Sequence, residues 1–329
     1  IYIKSKQGTY IMAHELEIIN GQAQMAYRES AGLPWHGLGT PVSDDMTPQE
    51  MMVTAGLDWS VEKVPTFIDY NGSKVETGQE ALVRSTDGKI LTQVGKGWNP
   101  VQNSEAFDFF TDFVKAGDMV MDTAGSLKEG QIVWAMADVK DGFSLFGGDE
   151  VNGYLLFSNP HQYGKAIDVK FMMTRVVCNN TLAVALNEKG MPGVRINHRS
   201  EFNAEMVKQA LGISQNKIEN FKEAAEFLGS KRYTDETLKR FFGNIFGESN
   251  REDRDLSRTA QQAMECVENQ PGDNFRPGTW WNAYNAVTYM ADHKLGRTAD
   301  TRMASAWFGT NAKRKIDALD LAVEMAEAA

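Results

Sequence analysis

Asp168-Val169-Lys170 sets a carboxylate and an ammonium two residues apart. On an extended strand, residues i and i+2 share a face, so the two groups would stand side by side. Metal-dependent nucleases use such a pair to bind a divalent cation and position the attacking water. They also need a second carboxylate, which Asp149 or Glu150 on the preceding strand would supply. The tripeptide recurs at Asp138-Val139-Lys140, so the pattern alone has little specificity. Other catalytic signatures are missing from the sequence: it contains no Gly-x-Ser-x-Gly elbow, no Walker A loop and no His-Glu-x-x-His. The five histidines, at 14, 36, 161, 198 and 293, are dispersed and make no ligand pair, so each reads as a surface or capping residue. No metal and no cofactor are expected.

The residues suited to binding are more concentrated. Between 165 and 200, Lys165, Lys170, Arg175, Lys189, Arg195 and Arg199 face only Asp168 and Glu188, a net of +4. Arg175-Val-Val-Cys-Asn-Asn-Thr181 follows a predicted strand, and its amides Asn179 and Asn180 suit phosphate and base-edge contacts. The same amides would cap a helix starting near Leu182, and a helix N-terminus is itself an anion site. His198 adds a hydrogen-bonding group. Tyr163 and Trp98, the latter in a Gly/Asn/Pro turn, are candidate stacking surfaces for unpaired bases, while core packing is the competing role for each ring. A second basic stretch, with Lys294, Arg297, Arg302, Lys313, Arg314 and Lys315, spans 290–315.

These patches sit in an acidic protein. The chain of 329 residues carries a formal net charge of -10, and the segment 41–150 alone holds 19 acidic against 8 basic side chains. Such a balance argues against a basic coat and against adsorption to membranes, and it confines any polyanion to a local groove. Hydrophobic content of 42% and charged content of 24% are those of a globular chain with a full core. Cys178 and Cys266 are far apart, which suits a reducing compartment and no disulfide framework. No apolar window approaches the length of a transmembrane helix, and no secretory signal pattern is present, so a cytoplasmic location in a bacterial host is expected. Residues 1–11, before Met12-Ala13, are set aside as a leader.

Elements must position these groups, and the periodicity changes near residue 200. Before it, strands are predicted at 58–64, 81–85, 89–94, 132–139, 154–157 and 167–177, with hairpins at Asn71-Gly72 and Asp87-Gly88. One helix begins at Ser104 as cap, with Phe107, Phe110, Phe113 and Val114 on its apolar face. After residue 200 the pattern is helical, over 201–213, 215–229, 234–246, 253–269, 279–294 and 300–327, with a linker at 269–277. The fold class is therefore α+β: an antiparallel strand-rich N-terminal half, 12–200, with one or two packed helices, and a helical region, 201–329, packed on that core. In the helix from 279, Trp280, Tyr284, Val287 and Ala291 form an apolar stripe. Asn282, Asn285, Tyr289 and His293 form a polar one, read as a buried hydrogen-bond network.

Several blocks recur in order along the chain: Pro34-Trp-His-Gly-Leu-Gly-Thr40, Gly56-Leu-Asp-Trp-Ser-Val-Glu62, Trp98-Asn-Pro-Val-Gln-Asn103, Arg175 to Leu182, Arg195-Ile-Asn-His-Arg199, and Gly278-Thr-Trp280 onward through Asp292-His293 to Trp307-Phe-Gly309. On these blocks the chain resembles a family of phage- and plasmid-like proteins, domain of unknown function 932. The resemblance implies an accessory protein of mobile elements. It extends, more distantly, to Rad52-type single-strand annealing proteins, which would imply rings or filaments on single-stranded DNA. No catalytic residue transfers with it. Three readings stay open. The first is a single-stranded DNA binder for recombination or annealing, acting as a homo-oligomer; the second is a nuclease built on Asp168 and Lys170. The third is a protein-interaction oligomer that meets a host or phage protein through the acidic 41–150 segment.

Overall fold

The computed structural model describes residues 2–4, 10–12, 16–32, 34, 37–140, 142–175, 180–182, 194–207, 215–247, 256–296 and 299–328. Among them the strands are, in order, β1 (Tyr2–Lys4), β2 (Tyr10–Met12), β3 (Ile18–Ile19), β4 (Gln22–Ala23), β5 (Met25–Arg28), β6 (Thr40–Val42), β7 (Val61–Tyr70), β8 (Ser73–Arg84), β9 (Ile90–Gly95), β10 (Val120–Leu127), β11 (Ile132–Asp138), β12 (Phe143–Leu145), β13 (Asp149–Pro160), β14 (Ile167–Arg175), β15 (Asn180–Leu182) and β16 (Val194–Ile196). Two helices precede residue 120, α1 (Pro48–Thr54) and α2 (Asn103–Ala116). The protein is α+β, with strands concentrated in the N-terminal half and most helices in the C-terminal half. No helix of the described residues is long and apolar enough to cross a membrane.

The chain forms two compact units, one from residues 1–140, 155–170 and 193–211, the other from 141–154, 171–192 and 212–329. The expected change of periodicity near residue 200 falls inside the third segment of the first unit.

In the first unit the sheet runs β14-β13-β11-β10-β5-β6, with β16 added on β14. All its pairings given by register are antiparallel except β5 with β6. Gly125 faces Trp134 across β10 and β11, and a side chain there would run into the indole at 2.4 Å, so only glycine lets the two strands close over that ring. Helix α2 has Gln102 as its N-cap residue, rather than Ser104 as expected, and the Gln102 backbone N–H donates to the Glu105 carboxylate at 2.7 Å. The Gln102 side chain instead exchanges hydrogen bonds with the backbone of Val61, which ties the helix start to β7. The buried side of α2 is centred on Phe107, Phe109 and Phe110, with Phe109 meeting Phe157 and Phe202. A separate sheet, β7-β8-β9, is joined by both expected hairpins.

The second unit is dominated by helices at Gln215–Ser230, Asp235–Phe246, Arg258–Cys266, Trp280–Tyr289, Ala299–Phe308 and Thr310–Glu327. The expected single helix over 300–327 is two, divided at Gly309. Its core gathers Trp280, Trp281, Tyr284, Phe221, Phe241 and Phe242, all fully buried. Half of the expected polar stripe of the central helix is buried: Asn285 donates to the Trp281 carbonyl at 2.8 Å, and Gln270 donates to that of Asn282 at 3.0 Å, whereas Tyr289 and His293 are half-buried with their rings 4.9 Å apart. The α-helix passes at Met290–Lys294 into a π-helical turn, where Asp292 pairs with the buried Lys315 at 2.7 Å.

Candidate nucleic-acid interface

Strand β14 sorts its residues by parity. Ile167 and Val169 are fully buried, so Asp168 and Lys170 lie on the opposite face, where their charged groups meet at 3.1 Å. The register places Arg195 of β16 directly across from Asp168. Arg195 is exposed, so the face carries one carboxylate set between two cations. Just before β14, the turn Gln162–Lys165 is closed by the Lys165 amide on the Gln162 carbonyl, with Gly164 at a φ of 78° that glycine adopts without strain. This turn leaves Lys165 exposed and Tyr163 66% exposed. Just after β16, Asn197 accepts the Arg199 backbone N–H at 3.1 Å, and the resulting turn sends Arg199 outward.

The residue between these two goes inward. His198 is buried, and its ring stacks on Trp98 with centroids 3.9 Å apart and planes 20° from parallel. Its Nδ1 lies 3.2 Å from the Asn99 carbonyl, while the Asn99 N–H donates to the His198 carbonyl at 2.6 Å. Trp98 and His198 therefore do not present a stacking ring or a hydrogen bond at the surface, contrary to the expectation from sequence. Each satisfies the other inside the unit. Burial lowers the pKa of His198, against the carbonyls of Asn99 and Pro160, which favour its protonated form.

His161, expected at the surface, is also fully buried. Its Nε2 is 3.0 Å from the side-chain oxygen of Asn103, whose amide nitrogen donates to the carbonyls of Leu57 and Trp59. With the Asn103 oxygen left as the acceptor, His161 carries its proton on Nε2. The ring meets Trp59 edge-on at 5.4 Å. Burial, followed by the charge of His198, pushes its pKa down to about 3. Neighbouring Asn159 donates to the Val101 carbonyl at 2.9 Å. The segment from Asn99 to Asn103 is thus braced at alternate positions by His198, Asn159 and His161. The sequence held one unused sign of this brace. Asn159 and His161 differ by two on a strand whose preceding residues are apolar, the spacing of an inward-facing pair.

The remaining expected site residues lie elsewhere. In the second unit, Arg175 is opposite Asn180 in the antiparallel pairing of β14 with β15. Asn180–Leu182 is therefore a strand, so Asn180 does not serve as the cap of a helix at Leu182 as expected. Thr181 is β-branched and favours extended chain. Asn179 lies outside the described residues. The described part of the basic stretch 290–315 is mixed, with Lys294 and Lys313 exposed and Lys315 buried. Lys315 pairs with Asp292, Lys313 with Asp317 at 2.7 Å, and Arg314 lies over the Phe246 ring at 5.7 Å. Of the two carboxylates expected to complete a nuclease site, Asp149 is fully buried and accepts the Trp281 indole N–H at 3.1 Å, while Glu150 is exposed on β13, opposite Ser144 of β12. Among the described residues, no group of three His, Cys, Asp or Glu could hold a metal ion.

The blocks that build this site fall within a known family. The model of Domain of unknown function (DUF932) matches residues 90–314, well over half of the chain. The chain belongs to that family. The match takes in Trp98, Asn103, His161, Tyr163 and the whole of the β14–β16 face. No curated protein and no solved structure matches the chain.

Proposed function

We propose that this family member binds single-stranded nucleic acid, with single-stranded DNA as the ligand, without catalysing a reaction on it. The observation that carries the reading is that exposed Tyr163 and Lys165 lie just before β14, while exposed Arg195 and Arg199 lie on and just after β16, which pairs with β14, on an otherwise acidic chain. An aromatic platform beside a short row of cations is what sequence-tolerant single-strand binding requires. The ring stacks a base and the cations follow the phosphates. Lys170 contributes less, because it already neutralises Asp168. The resemblance to phage- and plasmid-like proteins, and more distantly to Rad52-type annealing proteins, supports a role in recombination of mobile elements. Annealing brings two strands together, which calls for more than one copy of the chain.

A nuclease is the weaker reading. Asp168 is engaged by Lys170, and Asp149 is committed to Trp281.

Fluorescence anisotropy of a labelled oligothymidylate tests the proposal. Saturable binding at low salt is expected for the native chain, with strong loss in the combined variant Lys165→Ala, Arg195→Ala and Arg199→Ala. No binding by the native chain at low salt, or undiminished binding by the variant, overturns it.

A further inference from the structure

The register of β14 with β16 fixes how the exposed cations are laid out. The pairing is antiparallel, with Ile167 opposite Ile196 and Asp168 opposite Arg195. Residues that precede Ile167 therefore lie at the same end of the pair as residues that follow Ile196. That end carries Tyr163 and Lys165 from one turn and Arg199 from the other, all exposed. Arg195 is set back from it by the chain from Lys165 to Asp168, about 10 Å when extended. The three exposed cations thus form a short row, with Tyr163 at the end away from Arg195.

Carboxylates stand at both limits of this row. Asp168 is directly across from Arg195, and Lys170, the next cation along β14, is already paired with it at 3.1 Å. At the other limit Glu201 is exposed two residues past Arg199, after the turn that the Ser200 N–H closes on the Asn197 carbonyl at 2.9 Å. Lys96 does not lengthen the row. It comes three residues before Asn99, whose N–H donates to the His198 carbonyl, but it is paired with Glu76 at 3.0 Å. A phosphate carried past either limit would come up against a carboxylate.

We propose that this row is a closed site for a short segment of a strand, about four nucleotides, and that Asp168 sets its length. This rests on the single-strand binding proposed for the same face. Phosphates of a stacked strand repeat at about 3.4 Å, so about 10 Å of cations matches about four of them, and fewer when the strand is extended. Four is the low end of the roughly 4–16 nucleotides held by one OB fold, another single-strand binder. The carboxylate of Asp168 limits the segment by repelling the phosphate that would follow the one on Arg195. A short hold suits annealing. Each copy engages few bases, and those on either side stay free to pair with a second strand.

Anisotropy titrations with labelled oligothymidylates of increasing length test the proposal. Longer strands offer more registers, so each association constant is divided by the number of registers that a site of this size can take. For the native chain the corrected constant is expected to climb up to about 4 nucleotides and then to stay level up to about 16. Asp168→Asn removes the carboxylate and keeps the shape of the side chain. Its corrected constant is expected to go on climbing to about 6 nucleotides and to end up to about fivefold above the native one. A native constant still rising at about 12 nucleotides overturns the proposal, as does an Asp168→Asn series that levels at the native length. Under either result long strands still bind, so the single-strand reading survives. Failure of the native chain to bind a strand of any length defeats that reading, and the short site with it.

Discussion

The outward face of β14 and β16 and the histidine brace inside the same unit are made from neighbouring residues, yet they have opposite physical characters. His198 is buried and Arg199 exposed; His161 is buried and Tyr163 exposed; Val169 is buried, and Arg195 across the pairing from its neighbour Asp168 is exposed. One set is buried and held by backbone carbonyls and one amide. The other carries charge into solvent. A polar residue beside a basic patch is therefore not evidence for membership of it. Strand parity, and the turns at the strand ends, decide whether a histidine or an aromatic ring faces a ligand or holds the frame that carries the ligand site.

Several substitutions break or sharpen that contrast. The largest effect is expected for Trp98→Ala, which removes the ring stacked on His198. Emptying such a buried site costs about 3–5 kcal/mol. Urea unfolding at neutral pH should show that loss, while the folded fraction keeps its oligonucleotide affinity. A loss of affinity with stability intact would move Trp98 back to the ligand site.

The brace should also make stability depend on pH. His161 is pushed from its ordinary 6.5 down to about 3 in the folded chain. Below its ordinary value the unfolded chain takes up a proton that the folded chain refuses. Stability from this group is thus fully present above about pH 6.5 and falls as pH drops toward 3, by up to about 1.4 kcal/mol per pH unit. His198 acts in the same direction. Urea midpoints measured from neutral to mildly acid pH should fall steeply, and less so in His161→Gln. A flat profile would mean that the imidazole is solvated.

On the outer face the expected effects are on binding alone. Tyr163→Ala should weaken oligonucleotide binding by about 1–3 kcal/mol, the contribution of one stacked base, without lowering the urea midpoint. An unchanged dissociation constant would remove the ring from the site. The smallest effect is expected for Asp168→Asn, which takes a carboxylate from among the cations. Binding should tighten by about 0.2–1 kcal/mol, the scale of a partly solvated charge pair. Weaker binding, or a new requirement for divalent ions in the native chain, would favour a direct role for Asp168.

Much of the fold was legible in the sequence because local signals agreed with the tertiary result. Asn71-Gly72 and Asp87-Gly88 mark both hairpins of the β7–β9 sheet, and the helix periods after residue 214 locate most helices of the second unit to within a few residues. The site was legible in part. Lys165, Lys170, Arg195 and Arg199 could be grouped from charge alone. Their separation from His198 and Trp98 could not, because it rests on the alignment of the segment Asn99–Asn103 with residues 159–161 and 198, which are distant in sequence. The strand pairing of Arg175 with Asn180 was hidden for another reason. Paired asparagines serve turns and helix caps equally well, and only pairing with β14 distinguishes them.

The salt dependence of oligothymidylate binding tests the central claim most directly. If Lys165, Arg195 and Arg199 each meet a phosphate, the logarithm of the association constant should fall against the logarithm of salt with a slope of about -2, roughly twenty-fold between ~50 and ~200 mM. The combined Lys165→Ala, Arg195→Ala and Arg199→Ala variant should flatten that slope to below about -1. A native slope near zero, or the same slope in the variant, would contradict the account.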